Sequence, residues 1–340
     1  MEAVAKIDSS AVWCGEELAT RDDWIWQFDS QEIEELYQLD RRYQETPLEA
    51  VSGDGVEGGL ARRLSALQRQ LEHGSGATWV RGFPADRFSN AAATRLFWIM
   101  AQRIGTPLSQ SASGERLFGV RDAGFGKEDA RTRGPNTRRK LSFHTDRCDV
   151  IGFMCLQQAK EGGESQLVSS AAVYNRISER RPDLLAELLR PFYYQRHNVD
   201  LGSDVAYCRQ PVFSFFQGHF ATSFLRVLID RADASGEVPP MSDRQREALD
   251  YLEEVCEDAE LQYRFTMQRG DLLFLNNWST LHRRTAFTDW PEPERRRHLL
   301  RIWLSVPNSR PLDPLFADNF GDTRAGAVRG GMRAAPGGTG

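Results

Sequence analysis

The sequence predicts a mainly β protein with helical additions, an α+β architecture, and three observations carry that prediction. Many short stretches are apolar or partly alternating, as strands are; helical stretches interrupt them instead of alternating with them; and no repeat of 20–50 residues is visible. Short strands with helices inserted between them fit a barrel or sandwich better than a βαβ fold. At 340 residues the chain is long enough to bury a sizeable core. It divides into a helix-rich part over residues 1–110, a strand-rich core with a helical insert over 111–322, and a Gly-rich tail from Thr323, expected to be flexible, over 323–340.

In chain order, Leu60, Leu64, Leu67 and Leu71 form one apolar stripe and predict a helix over Gly59–Glu72, stopped by Gly74. Ala77–Arg81 reads as a strand. Ser89 is an N-cap for a helix to about Ile104, ended by Gly105 and Pro107. Residues 124–140, GFGKEDARTRGPNTRRK, have no periodicity and read as a long loop, either a lid or a surface insert. LSFHTDRCDVIGFMCLQQA then reads as one or two strands. Further strands are predicted at Ser165–Val168, Phe192–Arg196, Val212–Phe216, Gln262–Thr266, Asp271–Leu275 and His298–Val306. Helices are predicted over Ala171–Leu189, broken near Pro182, and over Ser242–Cys256. The aromatic run PVFSFFQGHF (211–220) fits a pocket lining and core packing equally well.

A net charge of -5 argues against nucleic acid or an anionic membrane as the main partner. No secretory leader is visible, and no stretch approaches the ~18–20 apolar residues of a membrane span. The five cysteines are scattered without a CxxC pair, which disfavours a disulfide framework or a thiolate zinc site. The cytoplasm is the expected location. A small-molecule substrate is the expected partner, and homo-oligomerisation is left open.

Among six histidines, His144 stands two residues before Asp146 in a strand-like segment. Period-2 alternation puts both side chains on one face, within reach of one ion. Such a pair alone is weak evidence, because His and Asp near each other on a strand are usually solvated at the surface or hydrogen-bonded to each other. A third ligand is offered by His282, in GDLLFLNNWSTLHRRTAF, just after an apolar strand and the turn Asn276–Asn277. Two imidazoles and one carboxylate form the facial triad that suits Fe(II) and leaves coordination sites open. Fifteen residues beyond His282, RRRHLLRIWLSV places Arg297, Leu299, Arg301 and Trp303 on one strand face. The plainer alternative is an edge strand with solvated arginines. If the face is buried, its arginines need anionic partners, and Arg297 would offer a carboxylate a planar fork. 2-Oxoglutarate carries such a carboxylate at the end away from the metal.

FHTDRCDVIGFMCLQQAKEGGESQLVSS (143–170), GDLLFLNNWSTLHRRTAF (270–287) and RRRHLLRIWL (295–304) occur in order, and with the intervening segments the sequence resembles the taurine dioxygenase (TauD/TfdA) family of Fe(II)/2-oxoglutarate-dependent dioxygenases over residues 80–325. The resemblance implies a single oxygenase domain with a double-stranded β-helix (jelly-roll, cupin-like) core. It implies His144, Asp146 and His282 as iron ligands, with Arg297 and Ser165 holding the distal carboxylate of 2-oxoglutarate. Ser165 has a second reading as a turn residue after Gly162–Gly163. Arg301 matches the position that binds the substrate's sulfonate in taurine dioxygenase, or it serves 2-oxoglutarate instead. Halogenating relatives have a small residue where this chain has Asp146, so the resemblance implies hydroxylation of an unactivated C–H in a small anionic substrate, with O₂ consumed and succinate and CO₂ released. The alternative is a same-fold iron oxygenase that works without 2-oxoglutarate and ends in desaturation or cyclisation, in catabolism or in natural-product biosynthesis. A binding module with a vestigial site is the third class, disfavoured by the intact set of four residues.

Overall fold

The two faces of the strand His298–Ser305 have different jobs. In the computed structural model, which describes residues 6–125, 134–197, 200 and 205–333, this strand pairs antiparallel with Val150–Gln157 on one side and with Thr106–Leu108 and Leu117–Val120 on the other. Val150–Gln157 pairs in turn with Leu272–Asn276, then Ala77–Arg81, and Ile25–Gln27 completes the large sheet in parallel. Alternation decides what each face buries. Leu300, Ile302, Leu304, Met154, Leu272 and Phe274 pack under the helices Gly58–His73 and Asn90–Ile104. Their neighbours Leu299, Trp303, Ile151, Cys155, Leu273 and Leu275 face a second sheet, packed with its Leu167 and Phe265. That second sheet has the order 262–265, 165–169, 280–284 and is antiparallel throughout.

The predicted helices form for the local reasons expected of them. Leu60, Leu64, Leu67 and Leu71 are all buried, and the Ser89 hydroxyl accepts the Ala92 N–H at 3.1 Å. Proline splits the 171–189 prediction into Ser170–Arg180 and Pro182–Leu188. Asp243–Glu257 is capped by Ser242 with Gln245 answering it. The helical insert packs as its own core, in which Phe213 and Phe220 stack about Tyr174; the aromatic run 211–220 is therefore packing and stays out of the cavity described below.

Three expectations need correction. Residue 110 is not a structural boundary, because the strands 25–27, 77–81 and 106–108 of the large sheet come from the helix-rich part. The strand Thr280–Arg284 was not anticipated. Its sequence TLHRR looks like a polar loop, yet all five residues are buried, the arginines neutralised or bonded by groups from elsewhere. The tail expected to be flexible from Thr323 packs as far as the described residues go, with Arg329 and Met332 buried. Within the 124–140 loop, residues 126–133 lie outside the described residues, as do 334–340 of the tail. Among the described residues no helix is long and apolar enough to cross a membrane.

Candidate metal centre

The second sheet brings two distant histidines together through backbone pairing. His282 sits in the 280–284 strand opposite Leu167, and on its other side it forms a bridge with His144. The amides of His144 and His282 each donate to the other's carbonyl, at 3.1 and 3.0 Å. Asp146 lies outside any strand, just before the 147–149 bend, and His144 is an isolated bridge residue, so the strand alternation expected for the pair is not what joins them. Asp146 is instead held by Asn277, whose Oδ1 accepts its N–H at 2.9 Å.

The three side chains converge. Asp146 Oδ2 lies 3.3 Å from His282 Nε2 and 3.8 Å from His144 Nε2, and the ring centroids are 4.5 Å apart. One ligand atom from each residue falls within 4.8 Å of the others. His144 Nδ1 lies 2.8 Å from the Ser142 carbonyl, so Nδ1 donates and the Nε2 lone pair faces Asp146. Burial, reinforced by His282, pushes the His144 imidazolium down to about 4. Burial alone would raise the Asp146 carboxyl, but Arg301 and the two histidines outweigh it and hold it well below the usual carboxylate range. Neutral imidazoles and an ionised carboxylate are the forms that ligate metal. Asp146 Oδ2 is buried with no hydrogen-bond partner among the described residues, between the Nε2 atoms of the two histidines. A cation resolves that arrangement, and its donor set suits Fe(II).

A cavity of about 680 Å³ opens from this cluster between the two sheets. Arg297, 6% exposed, sits at its far end. Asp289 accepts the Arg297 backbone N–H at 2.7 Å, and the guanidinium stacks 5.1 Å from the Phe287 ring centroid. Its Nη1 is buried without a partner among the described residues. Burial pushes Arg297 down to about 10, offset in part by Cys155 and Asp289. Gly163, at φ 72°, lies so close that a Cβ there would stand 3.3 Å from Arg297 Nε. Ser165 lines the same end, paired across the sheet with Arg284. Arg301 points nearer the histidines. Its Nε donates to Gln110 Oε1 at 2.7 Å, its Nη1 is 3.5 Å from Asp146 Oδ1, and its Nη2 is buried without a partner among the described residues. All six residues singled out in the sequence thus border one cavity.

Sequence reasoning missed others. Asn277 was read only as part of a turn; besides holding Asp146, it donates from Nδ2 to Cys148 Sγ at 3.0 Å. Two successive asparagines between an apolar strand and a ligand histidine were a usable signal. Arg284 also faces the cavity, bonded to the Thr137 and Thr285 carbonyls and stacked on Phe287, and burial together with Arg297 pushes it down to about 9. His197, read as structural, is part of the cavity wall. His298 points away from Arg297, its Nδ1 2.6 Å from Arg121 Nη2.

Two histidines and a carboxylate lining a cavity between β-sheets define a class, the mononuclear non-haem iron dioxygenases. The model of a known family, described as "Taurine catabolism dioxygenase TauD, TfdA family", matches residues 44–303, and the chain belongs to that family. It is 27% identical to the FR-33289 synthase of Streptomyces rubellomurinus, over 89% of this chain and 91% of that one. It is 25% identical to the taurine hydroxylase-like protein SAT17 of Stachybotrys chartarum, over 93% and 86% respectively. Among solved structures, an asparagine oxygenase in complex with Fe(II), 3-hydroxyasparagine and succinate superposes with a TM-score of 0.66 at 18% identity, covering 89% of this chain and 99% of that one. The non-haem iron oxygenase OrfP, in complex with Fe and alpha-ketoglutaric acid, gives 0.62 at 14% identity, covering 83% and 94%.

Proposed function

We propose that the protein is an Fe(II)- and 2-oxoglutarate-dependent dioxygenase with a jelly-roll core, hydroxylating an unactivated C–H of a small anionic substrate. The observation that carries this reading is a pair of buried, unmet demands in one cavity. A carboxylate oxygen lies between two imidazole nitrogens, and beyond them Arg297 has a guanidinium nitrogen with no anion. A cation answers the first and a carboxylate the second.

In this reading His144, Asp146 and His282 hold the iron, while Arg297 and Ser165 hold the distal carboxylate of 2-oxoglutarate. When bound, iron and 2-oxoglutarate supply the oxidising power, with O₂ consumed and succinate and CO₂ released. The chain's own residues bind and aim. The Ser142 carbonyl fixes the His144 tautomer, Asn277 fixes the Asp146 backbone, and the apolar walls Phe153, Leu167 and Leu299 exclude water. Arg301 directs its free Nη2 toward a substrate carboxylate or sulfonate. The names of the solved relatives, an asparagine oxygenase and an oxygenase crystallised with L-Arg, favour an amino-acid-like substrate.

The test is anaerobic. Protein with Fe(II) should develop a weak visible charge-transfer band on adding 2-oxoglutarate, and a panel of carboxylates, sulfonates and amino acids should then stimulate succinate release in air. Iron uptake with no band would discard 2-oxoglutarate and favour an iron oxygenase that ends in desaturation or cyclisation.

A further inference from the structure

The segment after residue 323 carries none of the motifs that define the site, and the family match stops at 303. It nevertheless packs against the back of the loop that bears Asp146. Asp149, three residues beyond Asp146, is 1% exposed and uses both carboxylate oxygens. Oδ1 accepts from Trp278 Nε1 at 2.9 Å and from Arg329 Nε at 2.7 Å; Oδ2 accepts from Ser305 Oγ at 3.1 Å and the Val306 N–H at 3.0 Å. Arg329 is as deeply buried and donates its Nη2 to the Arg310 carbonyl at 2.8 Å.

The contacts continue along the segment. The Gly331 N–H donates to the Arg147 carbonyl at 2.7 Å, directly beside Asp146. Gly330, at φ 84°, comes so near that a Cβ would stand 2.5 Å from that same carbonyl oxygen. The Arg333 N–H donates to Asp200 Oδ1 at 2.8 Å, and Asp200 Oδ2 meets Arg147 Nη1 at 2.5 Å. Met332, between them, forms part of the cavity wall. One short piece of chain thus holds the Arg147 carbonyl and the Asp149 carboxylate directly, and the Arg147 guanidinium through Asp200.

We propose that residues 329–333 are a positioning element of the metal centre: the Arg329–Asp149 pair and the Gly331–Arg147 bond fix the loop that aims Asp146 at the ion. This rests on the metal site proposed above. A segment that only stapled the C-terminus would raise stability without touching the ion. One that positions Asp146 alters how the ion is held, since groups behind metal ligands change affinity by roughly 10–100-fold when removed.

Co(II) in place of iron is the probe, because its visible absorption reports coordination as well as occupancy. The full-length variants are Arg329→Met, Gly330→Ala and, as a control at the exposed position before them, Val328→Ala. In protein shown to be folded by circular dichroism, Arg329→Met and Gly330→Ala should weaken Co(II) binding by roughly 10-fold or more and change its spectrum. Val328→Ala should do neither. Should Arg329→Met fail to fold, with a buried carboxylate left without its cation, Gly330→Ala decides alone, since it keeps the ion pair. Wild-type Co(II) affinity and spectrum in the folded variants overturn the inference, whatever their melting temperatures. Failure of the unmodified protein to take up Co(II) would instead remove the metal centre itself.

Discussion

Replacing Arg297 by Met separates the cost of a buried charge from its use. Met keeps an unbranched apolar stem against Phe287 and removes only the guanidinium. In the free protein that guanidinium is nine-tenths and more buried, its Nη1 is unpartnered, and burial pushes its pKa from the ordinary guanidinium value down to about 10. At 1.36 kcal/mol per pKa unit, holding the charge there costs about 3 kcal/mol. The free variant should therefore melt no lower than the parent, an unusual result for removing a buried side chain. Binding reverses the sign. A carboxylate beside Arg297 recovers that cost, so its loss should weaken 2-oxoglutarate by about 3 kcal/mol, roughly 100-fold or slightly more. Arg297→Lys, which keeps the charge but loses the fork, should fall between. The assay is the anaerobic titration of the charge-transfer band, run beside a thermal melt of the metal-free protein. Binding of 2-oxoglutarate within about threefold of the parent would refute the assignment of Arg297. A large drop in the melting temperature of Arg297→Met would refute the premise that its charge lacks a partner.

Other outcomes follow from the same geometry. His144→Ala and Asp146→Ala should each abolish Co(II) binding and substrate-dependent succinate formation, and full turnover in either variant would remove this centre. Because His144 is held near 4 against 6.5 in the unfolded chain, the unfolded state binds an extra proton between those values. Stability of the metal-free protein should thus fall as pH drops from about 6.5 to 4, by up to about 3 kcal/mol from this residue, and His144→Gln should flatten that slope in pH-dependent melts. Gly152→Ala would place a Cβ 2.7 Å from a Phe274 ring carbon and 2.9 Å from Ile302 Cγ2. Overpacking there should cost on the order of 1–3 kcal/mol in chemical denaturation, with the Co(II) spectrum unchanged.

The candidate site was legible where chemistry is local in sequence. His144 and Asp146 are two residues apart, and Arg301 within the 298–305 strand and Arg297 just before it betray themselves as charge set into an apolar run. Helices with a leucine stripe or a serine cap were equally legible, because 3.6-residue periodicity and capping act within a few residues. What escaped depends on partners far along the chain. The 280–284 strand is polar because the Glu257 carboxylate, the Gln166 amide and the Thr137 carbonyl complete it. Asn277 acts on Asp146 from 131 residues away, its side-chain oxygen accepting the Asp146 N–H. Arg329 lies in a Gly-rich stretch whose composition resembles a loose end, while its carboxylate stands 180 residues earlier.

The pairing order of the large sheet has a consequence for biosynthesis. Ala77–Arg81 has only the three-residue strand 25–27 beside it until Leu272–Asn276 arrives, with Val80 opposite Leu272. At roughly 5–20 residues per second, an emerging chain waits on the order of 10–40 seconds between those two segments. For that interval Ala77, Trp79 and Val80, all buried in the finished protein, have no sheet to enter. In that interval the 58–73 and 90–104 helices can shelter Val80, while Ala77 and Trp79 on the opposite face wait for the second sheet.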